Sequence, residues 1–278
     1  MYTRLKRAVL MLCGVAAAVI AQETVGDKFT VPLTDPNRPV QLQVSLHGAR
    51  LTVKGGAIKN VVVESSYKPE EDEDREDSGK RHGLRRIPNL SSGLSIEEEN
   101  NEVTVSSGRM NDASNLHVTV NVPSLTSAKL SLINGDDIIV EGITGELEVS
   151  CTNGGITMKN VGGSVVANAI NGNLSATMTT VAPGKPMSFT SLNGDIDVTF
   201  PPDIKANVSL KADMQGEIFT DFDVKIESQP AKVEGNERDR KGRYRVTVDR
   251  TMRGTVNGGG PEYTFKSFQG DIYIRKKK

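Results

Sequence analysis

The chain of 278 residues has no tryptophan, and aromatic residues make up only 4% of it. Sites that bind sugars commonly stack the sugar ring on a flat aromatic side chain, so this scarcity counts against a carbohydrate-active enzyme. The formal net charge is −1 at pH 7, which argues against nucleic acid or another strongly anionic partner. The length suits one large domain or two small ones.

Cysteine is also scarce, with only Cys13 and Cys151. Cys13 lies within residues 1–21, where basic residues precede an apolar run that ends in small residues, as in a secretory signal peptide. The run is shorter than the roughly 20 residues that a transmembrane helix needs. The alternative to a cleaved signal peptide is an uncleaved membrane anchor. We therefore expect an exported protein (periplasmic, cell-surface or extracellular) with no integral membrane span after signal removal. Cys151 would then be the single thiol, buried and unable to form an internal disulfide.

Glycine, in contrast, is abundant, with 27 residues, and much of it recurs in one short phrase. The phrase returns about every 20 residues, and an apolar residue follows most of its glycines at the second and fourth positions. This is the pattern of a turn followed by a short alternating strand, in which Asn-Gly supplies the positive φ of the corner. The four clear copies and one looser copy are Asn134-Gly135, Asn153-Gly154, Asn171-Gly172, Asn193-Gly194 and Met214-Gln215-Gly216-Glu217.

Two architectures produce such a pattern, an antiparallel meander of hairpins and a β-solenoid of stacked coils. The Asn-Gly pair recurs once per two strands, and a meander gives no reason for every second turn to match. A solenoid aligns equivalent corners in a column, so we predict an all-β, single-domain, right-handed β-solenoid (β-helix). Its corner column should consist of the Asn and Gly residues at positions 134–135, 153–154, 171–172 and 193–194, with the asparagines forming a hydrogen-bonded ladder.

Charged segments interrupt the strand pattern twice and close the chain. We predict a signal peptide at 1–21, a lead-in at 22–39, the solenoid domain at 40–275 and a basic tail at 276–278. Within the domain, residues 67–95 should form a mobile charged loop and residues 227–244 a charged excursion. If each coil stacks on the previous one, Arg275–Lys278 lies on an open last coil, where charge opposes edge-to-edge aggregation. Gly270 in that coil should then tolerate a side chain better than Gly154 does.

Few residues are arranged for catalysis. The best carboxylate pairs are Asp136/Asp137, which should point to opposite faces of a strand, and Asp195/Asp197, which should share the outer face. The histidines His47, His82 and His117 are scattered and match no zinc pattern or triad. No phosphate-binding glycine loop or calcium-binding repeat is present, so we expect no metal, no cofactor and no catalytic residue. Asp195 and Asp197 are the residues that would test an enzymatic alternative.

One family resemblance spans residues 40–275. A charged loop, the segment Val120-Asn121-Val122-Pro123 and serial Asn-Gly turns follow one another, an order that resembles the bacterial putative-adhesin domain family. This is a domain of unknown function, related to the GIN-type auto-transporter adhesin head domain. The resemblance implies an exported β-solenoid with an adhesive role, and it supplies no catalytic residues to carry over.

Two functional hypotheses follow. The first is an exported, non-enzymatic β-solenoid, an adhesin-like binding or structural protein of the bacterial cell envelope. Its partner would be an envelope or surface glycan or a protein. The second is a polysaccharide lyase or hydrolase built on a β-helix. The scarcity of aromatic residues and the lack of a clustered acid, base and nucleophile favour the first.

Overall fold

A computed structural model describes residues 26–67, 80–81, 84–85, 93–107, 116–227, 233–234, 247–248 and 251–278. The expected signal peptide lies outside this part of the chain, as do most of the charged loop (67–95) and most of the charged excursion (227–244). All regular structure in the described residues is β-strand. Within them, no helix is long and apolar enough to cross a membrane.

The strands are numbered in chain order. The first group is β1 (Gly26–Val31), β2 (Val40–His47), β3 (Ala49–Gly56), β4 (Val61–Tyr67), β5 (Lys80–Arg81), β6 (Leu84–Arg85), β7 (Leu94–Glu99), β8 (Glu102–Ser107) and β9 (Leu116–Pro123). The repeat region contains β10 (Thr126–Ile133), β11 (Ile138–Glu141), β12 (Leu147–Asn153), β13 (Ile156–Val161), β14 (Val165–Asn171), β15 (Leu174–Met178), β16 (Met187–Asn193) and β17 (Ile196–Phe200). The last group is β18 (Ala206–Ala212), β19 (Ile218–Thr220), β20 (Val224–Ile226), β21 (Val233–Glu234), β22 (Thr247–Val248), β23 (Met252–Val256), β24 (Glu262–Gln269) and β25 (Ile272–Lys276).

Two large sheets face each other. Sheet A has the order β1-β4-β9-β3-β11-β13-β15-β17-β25-β19, and sheet B has the order β20-β23-β18-β24-β16-β14-β12-β10-β2-β8-β7. Each coil of the repeat region contributes one strand to sheet B and the next strand to sheet A, and equivalent strands of neighbouring coils are parallel. Parallel neighbours exclude the meander, and the β-solenoid prediction is confirmed.

The core lies between the sheets, and the alternation of the sequence builds it. In β14, Val165, Ala167 and Ala169 are buried, whereas Val166 and Asn168 are exposed. The same alternation in every coil places branched aliphatic residues inside a narrow stack, where strands favour them. Among the described residues these inward positions form one contiguous apolar cluster, which includes the fully buried thiol of Cys151.

The coils do not stack in chain order, which corrects the expectation for the C-terminal segment. The coil β24–β25 lies between the coil β16–β17 and the coil β18–β19. At the other end, β2–β3 lies between β8–β9 and β10–β11. Because β25 is flanked by β17 on one side and β19 on the other, Arg275 is not on an open last coil.

Antiparallel strands extend both sheets at one end of the stack and sheet B alone at the other. Sheet A continues past β9 with antiparallel β4 and then β1, and sheet B continues past β8 with antiparallel β7. At the opposite end, sheet B continues past β18 with antiparallel β23 and β20. An antiparallel strand needs only a short connection to return beside its neighbour. These strands therefore cover the sheet edges that the end coils would leave exposed.

Close approach of the backbones fixes the glycine corners. Gly154 has φ +134° and Gly270 has φ +137°. A Cβ added at Gly154 would overlap the carbonyl oxygen of Asp136, and one at Gly270 would overlap that of Gly194. A Cβ at Gly216 would in turn overlap the carbonyl of Gly270, so Gly270 is packed on both sides. The expectation that Gly270 tolerates a side chain better than Gly154 is therefore wrong.

The first corner differs from the others because it is one residue longer. There Asn134 takes the positive φ, +52°, and Gly135 does not. Asp136 then occupies the place that glycine holds in later coils, directly under Gly154. Gly135 is still required to be small, since a Cβ there would overlap the carbonyl oxygen of Ala49.

We predict that Gly154→Val and Gly270→Val each lower the free energy of unfolding by more than about 3 kcal/mol, because positive φ and backbone overlap act together. Gly184→Val is the matched control, since Gly184 has φ +72° but nothing within 4 Å of an added Cβ. It should cost only the backbone strain, about 1–3 kcal/mol. Urea unfolding measures all three variants. Equal losses for Gly184 and the two corner glycines would contradict the close approach.

Candidate binding surface

The asparagine side chains at the corners form a continuous hydrogen-bonded ladder. Asn153 Nδ2 donates to Asn134 Oδ1 at 2.7 Å, and Asn171 Nδ2 donates to Asn153 Oδ1 at 2.8 Å. Asn193 Nδ2 donates to Asn171 Oδ1 at 2.7 Å. Each amide thus repeats the interaction of the previous coil, as stacked identical residues do in cross-β structures. The ladder lies at the solvent-exposed corner, where it ties successive coils together.

A second ladder, which the sequence analysis did not identify, starts from the residues just before the sheet A strands. Asp137 Oδ1 accepts the backbone N–H of Gly155 at 2.7 Å, and Asn173 Oδ1 accepts that of Asp195 at 2.9 Å. Asp195 Oδ1 accepts the N–H of Asp271 at 2.8 Å, and Asp271 Oδ1 accepts that of Glu217 at 2.9 Å. The recurrence of Asp or Asn after the corner glycine was the available signal, since short polar side chains often bond to nearby backbone.

Each of the four carboxylates in the two candidate pairs already has a hydrogen-bond or ion-pair partner within the fold. Asp136 pairs with Arg50 at 2.9 Å, and Asp137 belongs to the second ladder. Asp195 belongs to that ladder too, and Asp197 accepts from Arg275 Nε through both oxygens, at 2.8 and 3.0 Å. An exposed ion pair of this kind contributes at most about 1 kcal/mol, but it orients both side chains.

An aromatic column lies beside this ion pair on the outer face of sheet A. Asp197, Tyr273 and Phe219 are successive partners across β17, β25 and β19. The rings of Phe219 and Tyr273 stack with centroids 5.1 Å apart and 9° between their planes. The Arg275 guanidinium lies 5.1 Å from the Tyr273 centroid. Each of the three outward residues comes three positions after a corner glycine, so spacing alone indicated their face but not their adjacency.

A hydrogen bond fixes the Tyr273 ring in addition to the stacking on Phe219. Its hydroxyl donates to Asp271 Oδ2 at 3.1 Å. That hydrogen bond raises the pKa of the Tyr273 phenol, so the hydroxyl keeps its proton and remains a donor. The ring, its neighbour Phe219 and the Asp197–Arg275 pair therefore form one preorganised patch, which we call the aromatic patch.

A basic cavity of about 600 Å³ adjoins the aromatic patch. Lys276 lies with its Nζ 5.1 Å from the Phe222 centroid, and its backbone N–H donates to Asp221 Oδ2 at 3.2 Å. Lys277 donates its backbone N–H to Phe200 at 2.8 Å, which extends the chain alongside β17. The residues that line the cavity are Thr199, Asp221, Arg275, Lys276, Lys277 and Lys278.

The outer face of sheet B carries a separate shallow groove of about 780 Å³. It crosses β8, β2, β10, β12 and the start of β14, and two ion pairs, Lys129–Glu148 and Lys185–Glu146, lie at 3.0 Å in or beside it. Val166 is its one large apolar exposed side chain, at 50% exposure. The lining residues are Gln41, Leu42, Gln43, Glu102, Ser127, Ala128, Lys129, Glu146, Leu147, Glu148, Ser164 and Val166.

The remaining candidate residues are not brought together. His47 lies on sheet B and His117 on sheet A, and His82 is outside the described residues. Across the described ranges, no group of three or more His, Cys, Asp or Glu side chains is arranged to hold a metal ion. Cys151 is fully buried, with its Sγ 3.7 Å from the Asp136 carbonyl oxygen.

With this geometry established, comparison with known proteins identifies the family. The sequence model of the Toastrack DUF4097 family, a domain of unknown function, matches residues 88–257, more than half of the chain. The chain belongs to this family. The matched segment contains the whole Asn-Gly repeat region, whereas the inserted coils β2–β3 and β24–β25 lie outside it.

Two solved structures are similar to the chain along most of its length. One is a putative cell adhesion protein from Clostridium sporogenes ATCC 15579, with 11% identity and a TM-score of 0.47 over 92% of this chain and 100% of that one. The other is a putative adhesin from Bacteroides fragilis NCTC 9343, with 10% identity and a TM-score of 0.41 over 92% and 98%. No curated protein is significantly similar in sequence. Both structural likenesses are too distant to carry a function over.

Cys151 makes the stability of the fold sensitive to alkaline pH. Burial, assisted by the Asp137 carboxylate, raises the pKa of its thiol from 9.0 to about 11. The folded protein therefore keeps the proton where the unfolded chain loses it. The stabilisation is complete below pH 9 and is lost as the pH rises towards 11.

We predict that the wild type loses about 2 kcal/mol more of its unfolding free energy between pH 8 and pH 10.5 than Cys151→Ala does. The alanine variant is less stable at both pH values because it leaves a cavity. Other alkaline titrations occur in both proteins and cancel in the comparison. Urea unfolding at the two pH values measures the difference. Identical pH dependence in the two proteins would show that the thiol does not remain protonated in the core.

Proposed function

We propose that the protein is an exported, non-enzymatic, adhesin-like binding protein of the bacterial cell envelope. The observation that carries this proposal is the long shallow groove on sheet B, which crosses five adjacent strands rather than closing around a small molecule. Glutamine, serine, lysine and glutamate side chains line it, so a polymer or a protein surface could make many weak polar contacts along it. The groove, the Asn ladder and the second ladder all extend along the same stack of coils.

The engaged carboxylates support a binding role over catalysis. A glycosidase of the usual kind needs two carboxyl groups free to act on the sugar, one as an acid and one as a base or nucleophile. Here Asp195 holds the backbone of the next coil and Asp197 holds Arg275.

The N-terminal segment supports the export that is part of this proposal. The basic residues and apolar run of residues 1–21 have the form of a signal peptide. Fractionation of cells that express the full chain tests this part. Recovery of the protein in the envelope or the medium, shortened at its N-terminus, is the expected result. Full-length protein in the cytoplasm would contradict it.

We predict that the purified protein binds envelope polysaccharide or protein without turnover. The test uses wild type and Asp195→Asn/Asp197→Asn against acidic and neutral polysaccharides, with and without calcium. Asn at position 195 retains the acceptor oxygen, as Asn173 shows one coil earlier, so this variant should fold. Release of reducing or unsaturated ends by the wild type, lost in the variant, would establish an enzyme instead.

We further predict that Val166→Lys weakens binding of a purified envelope fraction by about tenfold or more, a change of about 1.4 kcal/mol. The added side chain would place a bulky charged group at the β14 end of the groove. Leu192→Lys is the matched control, since Leu192 is 45% exposed on the same sheet but lies outside the groove. Sedimentation of the protein with the fraction measures both. Equal effects of the two substitutions would exclude the groove as the binding surface.

A further inference from the structure

We propose that the C-terminal end of sheet A binds a carboxylate-bearing oligosaccharide. One sugar ring would stack on the free face of Phe219, and a carboxylate would lie between Lys277 and Lys278. This inference rests on the binding role proposed above, and it assigns a ligand class to the aromatic patch and the basic cavity, which are separate from the groove on sheet B.

The first support is the position of Phe219. It lies on β19, which ends sheet A, so no further strand of that sheet covers the ring face that points away from Tyr273. Phe219 is 44% exposed although Tyr273 stacks on its other face. An exposed ring held flat by a neighbour loses little conformational freedom when a ligand stacks on it. The scarcity of aromatic residues in the sequence therefore does not prevent a sugar platform, since two of the few lie side by side.

The second support is that neighbouring side chains fix the Tyr273 ring, on which Phe219 stacks. Arg275 lies over the Tyr273 ring, Asp197 pairs with Arg275, and Asp271 accepts a hydrogen bond from the Tyr273 hydroxyl. The column from Asp197 to Phe219 therefore has fixed order and spacing, about 4.8 Å per strand. Glu217, which is exposed and lies two residues before Phe219, carries a carboxylate that can accept hydrogen bonds from sugar hydroxyls.

The third support is the excess of positive charge at the adjoining cavity, whose lining contains four basic residues and one acidic residue, Asp221. Arg275 is engaged by Asp197, and Lys276 lies over Phe222. Lys277 and Lys278 line the cavity, and neither has an ion-pair partner among the described residues. An anionic group on the ligand would complete the cavity. The overall charge of −1 does not oppose this, because exposed charges beyond about 10 Å are largely screened.

The arrangement favours a carboxylate over a phosphate. A guanidinium fork is the group that matches phosphate oxygens, and the only one here is already used by Asp197. Lys277 and Lys278 can each donate a hydrogen bond to one of the two oxygens of a carboxylate. Four residues of strand separate Tyr273 from Lys277, about 13 Å, which is longer than one sugar unit. The ligand must therefore be an oligosaccharide in which the stacked ring and the bound carboxylate belong to different sugar units.

The test measures binding of a fluorescent galacturonic acid oligomer to the purified protein, with its methyl ester as the uncharged counterpart. We expect the acid form to bind at least about tenfold more tightly, and this preference to shrink as salt increases. Lys277→Gln/Lys278→Gln should abolish the preference for the acid. Lys54→Gln/Lys159→Gln, which removes equal charge elsewhere on sheet A, should preserve it.

Phe219→Ala should weaken both the acid and the ester by about tenfold. Phe29→Ala is its control, because Phe29 is 43% exposed at the opposite edge of sheet A. Equal binding of acid and ester, loss of binding in the control variants, or no binding of the acid oligomer would overturn the site. A polyglutamate peptide that binds as tightly, independently of Phe219, would show a site for acidic peptides and overturn it too. Retained binding of the envelope fraction by Lys277→Gln/Lys278→Gln would leave the groove on sheet B, and thus the proposed function, standing.

Discussion

The fold depends on how closely successive coils approach one another at their corners. At each corner the carbonyl oxygen of one coil lies where the next glycine would carry a Cβ, so the backbones meet with no side chain between them. That approach sets the register of the strands on both sheets, because the corner joins a sheet B strand to a sheet A strand. The Asn ladder and the second ladder reinforce this approach. The first does so through hydrogen bonds between side chains, and the second through hydrogen bonds from backbone N–H groups to side chains. Cooperation between neighbouring repeats is the general source of stability in solenoids, where each unit alone cannot bury its apolar face.

The sequence predicts most of this local structure and little of its order in space. The Asn-Gly phrase and the apolar residues after it indicate turns, strands and inward side chains, because both depend on residues only a few positions apart. The place of the coil β24–β25 depends instead on contacts between distant segments. Gly270-Asp271-Ile272-Tyr273-Ile274 follows the same rule as the coil at Gly194, so nothing local says that it stacks between β17 and β19. The same limit applies to the surface. The spacing of Tyr273 and Phe219 after their corner glycines predicts that both point outward. They are neighbours only because the coil β24–β25 is inserted beside β19.

The position of the inserted coils bears on function. The segment that matches the family contains the Asn-Gly repeats, and the coils β2–β3 and β24–β25 lie outside it. The aromatic patch and the basic cavity use β25 and the residues after it, so about half of their residues come from a part of the chain that the family model does not match. The groove on sheet B likewise uses β2. If the repeats are shared and the flanking coils complete the surfaces, one fold can present different binding faces. Function depends on such surfaces rather than on the fold.

Asp197, Tyr273 and Phe219 form one row because β25 is inserted between β17 and β19. Engineered disulfides in a Cys151→Ala background test it most directly. Neighbouring strands bring Cα atoms to about 4.8 Å, within the range that a disulfide bridges, and strands two apart lie at about 9.6 Å, outside it. We expect Asp197→Cys/Tyr273→Cys to form an intramolecular disulfide under mild oxidation and Asp197→Cys/Phe219→Cys to form none. Efficient bridging of positions 197 and 219, with none between 197 and 273, would mean that the coils stack in chain order and would contradict both the inserted coil and the site built on it.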